Sequence, residues 1–194
     1  MRLTRTVKTV AAMAVAAAVG VSAASALVAS PSAVVTPHSP VAQPGSDRVD
    51  KTAPDPAGGL GWAVRSYAST SGGSCVEAGR VRDGRFGQLG RDGGFRETPV
   101  EQGGTCGSLL EEPVLLAINH YPAAGQRGAR TVLFGRARSD VAAMHVTGPG
   151  GVQRPLVAGA GGGFVLPLEG TIAAPDLPVQ VTLVTGEQLT FDWR

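Results

Sequence analysis

From residue 62 onward the apolar positions come in short runs, broken every few residues by glycine, proline or charged groups. No window holds apolar residues at helical spacing for three turns, so helices are not expected there. The runs predict strands instead. The first covers 62–67. Residues 75–82 and 85–89 flank Asp83-Gly84, a pair that tolerates the positive φ of a type I′ hairpin turn. Residues 113–121 are apolar enough for a central strand, and 130–137 and 141–147 follow, parted by Ser139-Asp140. Gly148-Pro149-Gly150-Gly151 turns the chain into 152–158. Gly159-Ala160-Gly161-Gly162-Gly163 reads as a flexible hairpin turn into 164–168. Residues 179–184 and 188–193 close the pattern around Thr185-Gly186-Glu187. About ten short strands at this spacing predict an all-β fold, an antiparallel β-sandwich first and a barrel second. Trp62 and Trp193, one at each end, are the expected large core residues, each burying about 150 Å² or more.

The last third carries a resemblance. Arg130-Thr131-Val132-Leu133-Phe134-Gly135, the run from Val141 to Gly151, Gly163-Phe164 and the run from Val179 to Gly186 follow one another in a familiar order. That order resembles Ig-like and carboxypeptidase-regulatory-like sandwich modules. The whole folded part is similar to uncharacterised secreted proteins of actinobacteria. The resemblance implies a sandwich fold and a non-catalytic habit, and it carries no functional residues across.

The N-terminus has a different pattern. Arg2, Arg5 and Lys8 precede an uncharged run from Thr9 to Ser30, rich in Ala and Val, which is the layout of an export signal. Its apolar part, 9–29, is long enough to span a bilayer core of roughly 30 Å. Ala contributes little transfer free energy, however, and Ala24-Ser25-Ala26 and Leu27-Val28-Ala29 offer cleavage sites. Residues 1–29 are therefore expected to be a signal peptide, with a retained anchor helix as the alternative. From 30 to 58 the chain is rich in Pro, Ser and Ala and cannot bury enough apolar area to offset its chain entropy. It is expected to be a disordered linker carrying His38. The folded domain is then 59–194.

Charge changes the picture once the leader is set aside. The chain has 17 basic and 15 acidic residues. Without Arg2, Arg5 and Lys8 the balance is 14 against 15, so the apparent basicity belongs to the leader. Nucleic acid, which needs a sustained basic surface, is not an expected partner. The expected partner is a cell-surface protein or wall polymer, with membrane contact only through an uncleaved N-terminal segment. Export also fits the two cysteines, Cys75 and Cys106, which are expected to pair as a disulfide outside the reducing compartment.

Candidate chemistry is sparse. The chain has no GxSxG elbow, no HExxH and no EF-hand pattern. The glycine-rich stretch at 159–163 has no following Lys and opens a strand, so it is not a phosphate loop. No cofactor is expected. His120 and His145, with Glu111, Glu112 or Asp140, define the alternative reading, an extracellular hydrolase-type enzyme. Arg80, Arg82, Arg85, Arg91 and Arg96 form a candidate anionic-ligand patch. Arg80 and Arg82 share a strand face, although Glu77, Asp83, Asp92 and Glu97 lie among these cations. The expected function is a non-catalytic binding or structural module outside the cytoplasm.

Overall fold

The computed structural model describes residues 2–4, 41–100, 104–123 and 128–193. The leader beyond residue 4, the linker up to residue 40 and His38 lie outside the described residues. Fourteen strands run in chain order among the described residues: β1 (Arg2–Thr4), β2 (Arg48–Ala53), β3 (Trp62–Ala68), β4 (Ser74–Arg82), β5 (Arg85–Leu89), β6 (Phe95–Glu97) and β7 (Thr105–Gly107). They continue as β8 (Val114–Tyr121), β9 (Arg130–Ala137), β10 (Val141–Thr147), β11 (Gln153–Pro155), β12 (Gly163–Glu169), β13 (Val179–Leu183) and β14 (Gln188–Asp192). Every pairing is antiparallel, and no sheet among the described residues closes on itself, which removes the barrel alternative. The Asp83-Gly84 turn has positive φ at both residues, 51° and 77°, as its hairpin requires.

The strands form three sheets. The first has the order β2-β3-β4-β5-β6, the second β12-β9-β8, and the third β1-β14-β13-β10-β11. β4 is long enough to take two partners along one edge. β5 pairs with its last three residues and β7 with its first three.

The second sheet is buried on both faces, and side-chain alternation shows how. Val114 and Leu116 of β8, Leu133 of β9 and Phe164 of β12 pack with Met144, Val146, Val179, Val181, Leu189 and Phe191 of the third sheet. Their strand neighbours Ala117, Val132, Phe134 and Val165 point the opposite way, against Trp62, Val64, Val76 and Ala78 of the first sheet. Two cores thus share one middle layer, so the sandwich has three layers. This explains the uninterrupted apolar runs of β8, β9 and β12: a strand covered on both sides has no solvent face to mark with polar residues. The third sheet alternates. Its inner face is Met144, Val146, Val179 and Val181, and its outer face includes exposed His145 and Gln180. Trp62 is fully buried, whereas Trp193 packs half-buried on the second core, its indole N–H donating to Leu177 O at 2.7 Å.

The folded part begins earlier than residue 59. β2 pairs with β3 from Arg48 to Ala53, and Ala42 bridges Ser69. This portion of the stretch expected to be a linker is an edge strand. Its Arg-Val-Asp-Lys-Thr-Ala sequence has too few apolar residues to stand out beside prolines. β6 and β7, each three residues long, likewise carry no periodic signal.

The Gly159–163 stretch is not a loose turn. It packs against β2, whose Asp50 side chain is buried and accepts from Ser66 Oγ at 2.6 Å and Arg48 Nε at 2.6 Å. A Cβ at Gly159 would run into the Asp50 carbonyl, and one at Gly163 into the Asp50 side chain. The glycines are there for close approach. Gly159→Ala should therefore cost about 1–3 kcal/mol in urea unfolding, as overpacking against backbone does. Ala160→Ser, at the exposed neighbour, should stay within about 0.5 kcal/mol.

Candidate functional site

Pro54-Asp55-Pro56 leads out of β2 into a tight turn that closes with Gly58 N donating to Asp55 O at 2.9 Å. The Asp55 side chain turns inward and becomes the centre of a buried polar cluster. Its Oδ1 accepts from Ala57 N at 2.9 Å and Arg130 Nε at 3.0 Å, and its Oδ2 from Trp62 Nε1 at 3.0 Å. Arg80 NH1 lies 2.7 Å from the same Oδ2 and donates to Leu60 O at 2.6 Å.

Sheet register brings these groups together. Trp62 is directly opposite Arg80 on β3 and β4, and Tyr121 is directly opposite Arg130 on β8 and β9. The two pairs face each other across the first core. The Arg80 guanidinium lies 3.5 Å over the Trp62 ring, a cation–π contact, and the Trp62 and Tyr121 ring centroids are 4.6 Å apart. Burial alone would push the Asp55 carboxyl up. The Ala57 amide and then the Arg80 and Arg130 guanidiniums outweigh it and hold the group at about 2. Burial pushes the Tyr121 phenol above its ordinary value, and its hydroxyl donates to Ala78 O at 3.3 Å.

A small cleft of about 150 Å³ opens beside this cluster. Arg80, Arg91 and Arg130 line it with Gln88, Tyr121 and Pro122, and no carboxylate side chain lines it among the described residues. A wider open cleft lies elsewhere, where Arg48, Arg136, Arg138 and His145 surround Ala143 and Leu156. There Arg138 is held bidentate by Asp140, with both contacts at 2.7 Å, and Arg136 donates to Gly161 O and Ser74 Oγ.

No family model, curated protein or solved structure matches this chain. The residues themselves must carry the functional reading.

The five arginines of the candidate patch do not form one surface: Arg82 and Arg85 are directly opposed across the β4–β5 hairpin, and Arg80 and Arg91 meet at the small cleft. Arg80 is buried against Asp55 and Trp62. Arg82, on the same face of β4, lies 5.1 Å over the Phe95 ring. Arg85 pairs with Glu97 at 3.6 Å and Arg96 with Asp92 at 3.3 Å, both in the open, where water screens such pairs. Arg91 is exposed, makes no ion pair among the described residues, and joins Arg80 at the small cleft.

The histidines lie on different sheets. His120 Nδ1 is 3.3 Å from Thr131 Oγ1, and His145 stands on the outer face of the third sheet opposite Pro155 and Gln180. Neither has a carboxylate hydrogen-bond partner among the described residues. Glu111 and Glu112 are exposed in a turn before β8. No group of three or more metal-ligating side chains occurs among the described residues.

Cys75 and Cys106 form a disulfide between directly opposed residues of β4 and β7, with Cα atoms 4.1 Å apart. Cys75 is buried and Cys106 is exposed. Asp55 and Arg130, the other two charged members of the buried cluster, are missed by sequence reasoning. An Asp-Pro-Ala-Gly turn is visible, but its partner lies 75 residues away and is brought near only by sheet stacking.

Proposed function

We propose that the chain is an exported, non-catalytic module that works by binding at the outer face of the cell. The observation that carries this reading is the Cys75–Cys106 disulfide, because such bonds persist in oxidising compartments and are rare in the cytosol. The leader pattern of residues 1–29 agrees with it. The buried carboxylates favour binding over catalysis. Asp55 is held by Arg80 and Arg130, Glu77 by Arg65 at 2.7 Å, and Asp50 by Arg48 and Ser66, so each is committed to structure. The Ig-like resemblance of the last third belongs to the same proposal.

Two measurements on the producing cells test the reading. Protease treatment of intact cells and assay of the medium should find the chain outside the membrane. Alkylation without reductant, followed by mass spectrometry, should leave both cysteines unlabelled. A chain protected inside the cell, with Cys75 and Cys106 both alkylated, overturns the proposal.

A further inference from the structure

We propose that the cleft beside Asp55 binds one organic carboxylate on a single ring, the chemistry of a uronic acid. The proposal rests on the reading of the chain as a surface binding module and supplies its ligand class. Three guanidiniums reach the cleft from separate places: Arg80 from β4, Arg91 from the turn after β5, and Arg130 from the start of β9. Set against the Asp55 carboxylate that pairs with Arg80 and Arg130, the three guanidiniums leave two positive charges in excess at the cleft, which favours an anion.

Arg130 is set in place before any ligand arrives. Its Nε is held by Asp55 at 3.0 Å, its NH1 donates to Ala129 O at 2.8 Å, and the residue is 5% exposed. A fixed guanidinium loses little conformational entropy on taking up an anion. Arg91 is exposed at the mouth and makes no ion pair among the described residues, so its charge is available to an incoming anion.

The remaining walls decide what the anion is attached to. Leu89, Pro122 and the Tyr121 ring are apolar, which suits a carbon skeleton that bare phosphate lacks. The Gln88 amide, whose Nε2 donates to Ala78 O at 2.8 Å, keeps its oxygen as an acceptor for a ring hydroxyl at the same cleft. The volume, about 150 Å³, is that of a cavity able to hold one six-membered ring.

The two tryptophans make the test internal. The Trp62 indole N–H is bonded to Asp55 beside the cleft, whereas the Trp193 indole N–H is bonded to Leu177 O on the other core. The purified exported protein, labelled with nitrogen-15, is titrated with D-glucuronate while both indole resonances are followed. The Trp62 signal should move saturably and the Trp193 signal should not. Glucose should move neither, and inorganic phosphate should act far more weakly than glucuronate. Arg91→Gln should weaken the glucuronate response about tenfold without changing the melting temperature, because the side chain it replaces is exposed.

No movement of Trp62 up to tens of millimolar glucuronate overturns the proposal. So does an equal response to glucose or phosphate, or an unchanged affinity in Arg91→Gln. A chain found outside the cell with both cysteines oxidised, yet silent to glucuronate, refutes the ligand class and leaves the surface reading standing. A chain that responds to glucuronate but resides inside the cell refutes the location alone.

Discussion

Asp55→Ala should destabilise the protein by about 3–5 kcal/mol, because removing one partner from a buried ion cluster leaves the others without it. Arg80 and Arg130 are 7% and 5% exposed and both contact this carboxylate, as does the Trp62 indole. The same group predicts an acid limb. Its folded value of about 2 lies below the ordinary 3.8, so its contribution is full above about pH 4 and is lost as the pH falls toward 2. At about 1.4 kcal/mol per unit, the stake is about 2 kcal/mol. Urea unfolding at pH 7 and pH 3 measures both effects. The native chain should lose more stability between the two than Asp55→Ala does. A loss at pH 7 below about 1 kcal/mol would mean that the cluster behaves like an exposed surface pair.

Phe134→Ala should be as severe, about 3–5 kcal/mol, by loss of transfer free energy and creation of a cavity. Phe134 is 2% exposed and packs between the first and second sheets. Its strand neighbour Leu133 fills the other core, so the damage should pass through the shared layer. Trp62 in the first core and Trp193 on the second report separately. Their fluorescence changes, resolved by replacing one or the other with Phe, should coincide along the urea axis in both native and Phe134→Ala protein. Two separated transitions would show that the layers unfold independently.

The strands that carry the cores were legible because burial writes itself into the sequence. β3, β4, β8, β9, β12, β13 and β14 each lie within one or two residues of an apolar run. What the runs do not encode is which sheet each strand joins. Continuous apolarity in β8, β9 and β12 reads as a core strand of a two-sheet sandwich and hides the second covered face. Edge elements were lost for the opposite reason: β2 is short of apolar residues, and its Asp50 packs against the distant glycines at 159–163. At the candidate site, Arg80 and Arg91 stood out as cations. Their grouping with Arg130 follows from stacking of the first and second sheets, which no local pattern encodes.

The doubly covered middle sheet also bears on strand alignment. In a sheet with one wet face, a slip of one residue drives apolar side chains into water and is rejected on that ground. In β9 the same slip would exchange Val132 and Phe134 with Leu133 and expose none of them, so hydrophobicity alone does not distinguish the two alignments. The distinction falls to the polar and small residues. Arg130 must meet Asp55, Thr131 Oγ1 must donate to Gly170 O and accept from Ile172 N, and Gly135 must leave room for the Leu115 carbonyl and the Phe164 ring. A slipped β9 would send two guanidiniums, those of Arg130 and Arg136, toward the opposite core and away from every partner they now hold. The buried arginine that lines the cleft is therefore also what holds this strand to a single alignment.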